Sequence, residues 1–130
     1  MGHFWKIQSI WNRFYLVIIL SMKKYKIGII GNGFVGEAQA FAFSSIADVF
    51  IYDIDPHKSK DSIESVHDCD YVFICVPTPM SRTGEQDFSY VEKVFSKAKS
   101  KPIYIIKSTV LPGSTKKLSE KYPNFKVIFS

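Results

Sequence analysis

The sequence predicts an α/β fold built on a doubly wound, mainly parallel sheet. Short runs of β-branched and aromatic residues alternate with helical patterns along the chain, which is typical of βαβ units. The runs at 70–76 and 102–106 show no polar alternation, as expected of strands covered on both faces. The chain has 130 residues, 46% of them hydrophobic, which suits a single domain with its own core.

Five strands are expected, each a short run rich in β-branched or aromatic residues. In chain order they are Tyr25–Ile30, Asp48–Tyr52, Asp70–Val76, Pro102–Ile106 and Phe125–Phe129. Parallel neighbours in such a sheet need crossover connections, so the segments between the strands should carry helices.

Three helices are expected, over Val35–Ser45, Ser89–Lys99 and Ser114–Lys121. The first has one apolar face that should pack on the sheet, made of Val35, Ala38, Phe41 and Ala42. The second shows the same spacing at Val91, Val94, Phe95 and Ala98. The polar link Pro56–Asp68 leaves its helical content open.

Residues 1–21 are interpreted as an extension that precedes a domain over 22–130. The apolar stretch Phe14–Leu20 is far shorter than the roughly 20 residues of a membrane-spanning helix, so no stable span is expected. The extension is read as upstream sequence or a misplaced start, and a segment that binds a membrane surface or a partner is the alternative.

The net charge of +5 comes from the start of the chain. Five of the 17 Lys and Arg residues and no acidic residue lie within residues 1–26, which leaves 12 basic against 12 acidic residues in the rest. The domain therefore lacks the basic footprint of a nucleic-acid binder. Cys69 and Cys75 fit neither a metal-site spacing nor a disulfide framework, so reduced thiols, no metal and a cytoplasmic location are expected.

A glycine motif, Gly31, Gly33 and Gly36, follows the first strand and opens the first helix. In a G-x-G-x-x-G turn the first glycine permits the tight turn, the second lets a pyrophosphate approach the backbone, and the third lets helix and strand pack closely. The helix then offers free N–H groups and its positive dipole end to phosphates. The motif predicts a Rossmann-type dinucleotide site.

An acidic residue, Asp53, ends the second strand 22 residues after Gly31, near the spacing of about 20 at which a carboxylate holds the adenosine ribose. Its charge would repel a 2′-phosphate, so NAD is favoured over NADP, and Lys58 could contact a phosphate or the ribose edge. A nucleotide-free α/β domain with a solvated Asp53 is the alternative.

Two further loops follow buried strands, where ligands sit in open α/β sheets. Thr78 lies between two prolines in the first loop, and Ser108 and Thr109 would face the same crevice from the second. Each loop taken singly is more typical of a plain turn than of a binding site.

Together these segments resemble the N-terminal domain of the UDP-glucose/GDP-mannose dehydrogenase family. The matching stretches are KIGIIGNGFVG at 26–36, YDIDPHK at 52–58, VPTP through EKV at 76–94, KSTVLPGST at 107–115 and KVIFS at 126–130. The pairing of VPTP with KSTV is far more specific than the glycines.

The resemblance implies roles for individual residues. The loop Gly31, Asn32, Gly33, Phe34, Val35 and Gly36 would touch the pyrophosphate. Asp53 and Lys58 would hold the ribose, and Val76, Pro77, Thr78 and Ser108 would lie against the cofactor. Thr109 matches a threonine near the nicotinamide that helps to position a catalytic water.

The resemblance also implies an activity, in which the C6 alcohol of a nucleotide sugar is oxidised to a carboxylate in two NAD-dependent steps through a thiohemiacetal on a cysteine. Two departures matter. The link between Asp53 and Asp70 is shorter than in typical members, so a helix and strand are trimmed or absent there. The 130 residues also stop before the family's catalytic glutamate, lysine, asparagine and cysteine and its substrate domain, so this chain alone is expected to be inactive and sugar binding to need a further C-terminal part.

Whether this chain is itself an enzyme stays open. One alternative is a stand-alone NAD-binding or protein-interaction module. It would associate as a homo-oligomer through an edge strand at Val127–Phe129 and a patch with Tyr104 or Phe125. A hydroxyacid or 6-phosphogluconate-type dehydrogenase would share the glycine loop and Asp53 but not the VPTP and KSTV segments.

Overall fold

The computed structural model describes residues 9–17, 25–108 and 113–129. Its sheet has five parallel strands in the order β2-β1-β3-β4-β5. The strands are β1 (Lys26–Ile30), β2 (Asp48–Tyr52), β3 (Tyr71–Ile74), β4 (Ile103–Ile106) and β5 (Lys126–Phe129). The expected Rossmann-type α/β fold is confirmed, and the strand order reverses between β1 and β3, where such sheets open a crevice for ligands.

Five helices accompany the strands in the described ranges. They are α1 (residues 9–17), α2 (Phe34–Phe43), α3 (Ile63–His67), α4 (Ser89–Ser96) and α5 (Ser114–Lys121). The ends of the five strands and of α2, α4 and α5 differ from the sequence expectations by a few residues at most. The expectations include no helix at α1 and leave the segment of α3 open. No helix of the described part of the chain has the length and apolar character needed to cross a bilayer.

One face of the sheet is covered by α3, α4 and α5, and the main core lies between them and the strands. Its centre is an aromatic cluster of Phe95, Tyr104, Tyr122 and Phe125, with ring centroids 5.1 to 6.0 Å apart. Tyr104 is fully buried, so the expectation that it could belong to a surface patch is wrong. The Phe95 ring of α4 packs on the Tyr104 ring of β4 in this cluster, 5.2 Å between centroids.

The other face of the sheet is packed by α2, but not through the expected side chains. Phe41 is 84% exposed, and the residues that turn towards the sheet are Gly36, Gln39, Ala40 and Phe43. The ring of Phe43 packs on Phe73, 5.1 Å between centroids. The expected face was wrong because α2 is apolar on nearly every side, so the close approach at Gly36 decides its rotation.

The short link between β2 and β3 holds the five-residue helix α3 and, among its described residues, no strand. The link instead closes the outer edge of β2. The Asp61 carboxylate accepts a hydrogen bond from the Ile51 N–H at 2.8 Å, and the N–H groups of Lys60 and Asp61 donate to the Ile51 carbonyl at 3.0 and 2.8 Å. The Ser59 hydroxyl accepts from the Asp53 N–H at 3.1 Å. Backbone groups that a further strand would pair are thereby satisfied.

His67, at the end of α3, is buried with incomplete hydrogen bonding. Its Nδ1 lies 2.9 Å from the Tyr104 hydroxyl, whereas its Nε2 has no partner among the described residues. Burial, and next the positive charge of Lys99, lower the pKa of His67 from its usual 6.5, while the charges of Glu64 and Asp68 act against this. Neutral imidazole is therefore the form that the fold favours.

We expect the free energy of unfolding to fall as the pH is lowered below about 6.5. The pKa of His67 is lower in the folded chain, so the unfolded chain takes up this proton first and is favoured at acidic pH. Because one proton is involved, the slope stays below about 1.4 kcal/mol per pH unit. Urea unfolding at several pH values measures it.

The matched variants are His67→Phe, which fills the ring volume without titrating, and His57→Gln at an exposed position. The first should flatten the pH profile, and the second should keep the wild-type slope. An undiminished slope in His67→Phe would contradict the assignment.

Candidate functional site

A cavity of about 510 Å³ opens where β1, β2 and β3 end. Its walls come from the glycine loop, the turn after β2, helix α3, the loop after β3 and helix α4. The lining residues are Ile30, Gly31, Gly33, Tyr52, Asp53, Ile54, Lys58, Ile63, Cys75, Val76, Pro77, Tyr90, Lys93, Val94, Ser96 and Lys97. The cavity therefore lies at the crevice that the reversal of strand order creates.

Gly31 makes the turn out of β1 with a φ of +97°, a conformation that favours glycine. Its N–H donates to the Tyr52 carbonyl at 2.9 Å, which continues the ladder between β1 and β2 into the turn. A Cβ at this position would lie 2.7 Å from the Cys75 carbonyl oxygen. The turn is thus packed against the peptide at the end of β3.

Gly36 and Gly33 differ in what surrounds them. A Cβ at Gly36 would lie 1.8 Å from the Gly31 carbonyl oxygen, so α2 can start this close to β1 only with glycine there. A Cβ at Gly33 would meet nothing within 4 Å, and Gly33 itself lines the cavity. Gly33 caps α2 with no side-chain hydrogen bond, which leaves the first turn of the helix open to an anion.

Asp53 joins the glycine loop to the turn after β2. One carboxylate oxygen accepts a hydrogen bond from the Asn32 N–H at 2.7 Å, and the other accepts from the Asp55 N–H at 2.8 Å. The carboxylate also lines the cavity. A carboxylate oxygen has lone pairs for more than one donor, so Asp53 can hold the loop and still accept from a ligand hydroxyl.

Asn32 and Lys58 extend this connection. The Asn32 side-chain amide donates to the Lys58 carbonyl at 2.7 Å, and the Lys58 N–H donates to the Asp55 carbonyl at 3.0 Å. Lys58 lines the cavity, whereas Asn32 is not among the described lining residues and is bonded to Asp53 and Lys58, which are. The loop and the turn are therefore fixed to each other before any ligand enters.

The loop after β3 contributes Val76 and Pro77 to the cavity. The Ser108 hydroxyl is buried and lies 2.6 Å from the Val76 carbonyl and 3.3 Å from the Ile74 carbonyl, to either of which it can donate. It thus holds the loop against the end of β4. Thr78 is half-buried beyond the lining residues, and its carbonyl accepts from the Gln86 side chain at 3.5 Å. Thr109 lies outside the described residues.

Phe34 and Val35 follow Gly33 in the first turn of α2 but are not among the described residues that line the cavity. Phe34 is 92% exposed and Val35 44% exposed. Of the residues implied to contact the cofactor, the structure thus brings together Gly31, Gly33, Asp53, Lys58, Val76 and Pro77 at one surface. Contact of any of the expected residues with a ligand stays a prediction.

Helix α4 supplies lining residues that were not expected. Tyr90 and Lys93 lie on the helix and Lys97 directly follows its last residue, at spacings of three and four residues that place them on one flank. The Lys93 ammonium lies 5.8 Å from the centroid of the Tyr90 ring. With Lys58, these lysines place three positive charges around the cavity against the single carboxylate of Asp53. The cavity is suited to a ligand with net negative charge.

Cys75 also lines the cavity, because β3 ends at Ile74 rather than continuing to Val76 as expected. Burial raises the pKa of the Cys75 thiol to about 11, and burial likewise raises the pKa of Cys69 to about 11. Both are free thiols and stay protonated near neutral pH, which makes them poor nucleophiles. Within the described ranges there is no cluster of three or more metal-ligating side chains.

Comparison with known proteins adds a family match. The sequence profile of the UDP-glucose/GDP-mannose dehydrogenase family, NAD binding domain, matches residues 58–126, more than half of the chain. An uncharacterized protein of Methanocaldococcus jannaschii is 28% identical over 137 aligned positions, which cover 78% of this chain and 15% of that protein.

Three solved structures share the fold. UDP-D-ManNAc dehydrogenase from Pyrococcus horikoshii has a TM-score of 0.67 at 24% identity, over 80% of this chain and 35% of that one. UDP-glucose dehydrogenase from Pyrobaculum islandicum has a TM-score of 0.64 at 21% identity, over 81% of this chain and 34% of that one. GDP-mannose dehydrogenase from Pseudomonas aeruginosa, in a ternary complex, has a TM-score of 0.62 at 23% identity, over 79% of this chain and 34% of that one. The chain therefore spans about a third of the length of these structures.

Proposed function

This chain belongs to the UDP-glucose/GDP-mannose dehydrogenase family, in its NAD-binding domain, and from that premise we propose that it binds NAD in the cavity where β1, β2 and β3 end. The observation that carries the proposal is the hydrogen-bonded unit of glycine loop and Asp53 at this cavity. The loop would receive the pyrophosphate, and Asp53 would receive the hydroxyls of the adenosine ribose.

The residues present fit a dinucleotide. Gly33 leaves open the space next to the start of α2, where a side chain would stand in the way of a pyrophosphate. The uncapped first turn of α2 supplies N–H donors there. Lys58, Lys93 and Lys97 add positive charge around the same cavity. The apolar Ile54 and Ile63 line it as well and would suit the flat adenine ring.

The role of this chain would be to bind and orient the cofactor. When bound, NAD supplies a hydride acceptor for the oxidation of an alcohol. Asp53 would select NAD over NADP by repelling a 2′-phosphate, with Lys58 beside it at the ribose edge. We propose that Val76, Pro77, Thr78 and Ser108 position the nicotinamide half, and that Thr109 orients a catalytic water there, as the family resemblance implies.

Calorimetric titration of the purified chain with NAD, up to millimolar concentrations, tests the binding. We expect saturable binding, and affinity for NADP lower by about tenfold or more because a phosphate would face the Asp53 carboxylate. Thermal unfolding gives an independent measure, because a ligand that binds only the folded state raises the melting temperature. Absence of both the heat and the shift in a folded sample would refute the proposal.

We further propose that oxidation of a nucleotide sugar at C6 is the reaction this domain serves, and that these 130 residues do not carry it out by themselves. Neither cysteine is a suitable nucleophile, since burial raises both thiol pKa values to about 11. Incubating the chain with NAD and UDP-glucose or GDP-mannose should give no NADH absorbance. NADH formation by the pure chain would contradict this part while leaving the binding proposal intact.

A stand-alone module that binds NAD or another protein is the second candidate. One observation favours it: in the described sheet β5 pairs only with β4, so its other edge is open to association. A concentration-dependent dimer in light scattering would support this reading, and a monomer at all concentrations would weigh against it. For either function we propose the cytoplasm, where the free thiols of Cys69 and Cys75 stay reduced.

A further inference from the structure

Helix α1 is amphipathic. At about 100° per residue, five of its side chains fall within an arc of about 160°. This apolar arc consists of Val17, Ile10, Phe14, Trp11 and Tyr15. The opposite arc, here called the polar arc, carries Ser9, Asn12, Arg13 and Leu16.

The apolar arc is open to solvent in the structure. Its five side chains are each between 61% and 68% exposed, so the described part of the domain does not cover them. In proteins most of the stability of such a helix comes from packing of its apolar face. The arc therefore needs a partner that accepts apolar and aromatic side chains along one face of a helix.

The charge around α1 indicates what that partner is. Residues 1–26 carry five Lys and Arg residues and no acidic residue, while the rest of the chain is formally balanced. Packing α1 against a second copy of itself would bring two such sets of positive charge together. An anionic surface, by contrast, is attracted to the basic residues while it buries the apolar arc.

We propose that α1 attaches this chain to the surface of a phospholipid bilayer that contains anionic lipids. The helix lies parallel to the membrane, with Ile10 and Phe14 directed towards the acyl chains and with Trp11 and Tyr15 near the headgroups, the level that their amphipathic rings prefer. Arg13 on the polar arc lies against the anionic headgroups, and the lysines elsewhere in residues 1–26 add to the positive charge of the segment. The attachment is independent of the proposed NAD binding, because it uses none of the residues that line the cavity.

The chain contains its own probe for this attachment. Both of its tryptophans, Trp5 and Trp11, lie in the basic segment, so tryptophan emission reports on that segment alone. In a Trp5→Phe variant only Trp11 emits. Titration of this variant with vesicles of phosphatidylcholine and phosphatidylserine should shift the emission to the blue with saturation. Affinity for vesicles of pure phosphatidylcholine should be lower by about tenfold or more, and added salt should weaken binding to the mixed vesicles.

Two matched substitutions in the Trp5→Phe background test the geometry. Ile10→Asn removes an aliphatic side chain from the apolar arc. Leu16→Asn removes an aliphatic side chain of the same size from the polar arc. We expect Ile10→Asn to weaken binding by about tenfold or more and Leu16→Asn to change it far less. Equal losses in the two variants, equal affinity for both vesicle types, or a blue shift that grows with protein concentration without vesicles would each overturn the proposal, the last by showing that α1 packs on another protein chain.

Discussion

Replacing Gly36 with alanine is expected to lower the free energy of unfolding by about 3 kcal/mol or more. The new Cβ would lie 1.8 Å from the Gly31 carbonyl oxygen, and because that atom belongs to the backbone it cannot rotate away. Helix α2 would have to move off β1, and overpacking of a well-packed interior typically costs about 1 to 3 kcal/mol and occasionally more. Urea unfolding followed by circular dichroism measures the loss.

Gly33→Ala is the matched control, since it adds the same methyl group three positions before Gly36. The φ of Gly33 is −86° and a Cβ there would meet nothing within 4 Å, so the stability should change by less than about 1 kcal/mol. Its methyl group would, however, stand where the pyrophosphate is proposed to approach. We therefore expect Gly33→Ala to fold normally and to lose affinity for NAD. Equal stability of the two variants would contradict the close approach of α2 to β1.

Replacing Asp53 with alanine is expected to weaken NAD binding by about 10- to 100-fold. The substitution removes the acceptor proposed for the ribose hydroxyls, and hydrogen bonds to charged groups contribute about 1.5 to 3 kcal/mol. The substitution also removes the hydrogen bond that the Asn32 N–H donates to this carboxylate at 2.7 Å. The glycine loop then loses this bond to the turn after β2. The preference for NAD over NADP should narrow at the same time, because the repulsion of a 2′-phosphate disappears.

Asp55→Ala is the control for charge and location. Asp55 lies in the same turn, but its carboxylate accepts from the His57 N–H at 3.0 Å and it is not among the described residues that line the cavity. Titration calorimetry of both variants with NAD and NADP, after circular dichroism has verified folding, compares them. If Asp53→Ala binds NAD as the wild type does, or if Asp55→Ala loses as much affinity, the assignment of Asp53 fails.

The sequence predicts those parts of the site that demand a particular residue type. A positive φ at Gly31 and a contact too close for a Cβ at Gly36 leave glycine as the residue that fits, so both positions show up as a motif. Asp53 is found because its distance along the chain from the loop is fixed by one βαβ unit. The fold follows in the same way from the alternation of strand and helix patterns.

Other parts depend on packing that no local pattern contains. The rotation of α2 was predicted wrongly because apolar residues surround it, and the close contact at Gly36 sets the buried side. One flank of α4 and the residue after the helix carry Tyr90, Lys93 and Lys97, at spacings that the sequence shows. A basic flank is, however, also typical of a solvated helix face, and only the tertiary position of α4 brings it to the cavity.

The hydrogen bonds that the link makes to Ile51 have a consequence for how sheets of two chains could join. A strand from another molecule cannot pair along this stretch of β2 without displacing Lys60 and Asp61, whereas β5 offers its outer edge across the described sheet. The sheets of two molecules can therefore join more readily through β5 than through this stretch of β2. Two molecules meeting through β5 would bury that edge of each, and a third could pair with β2 only where the link does not already bond it.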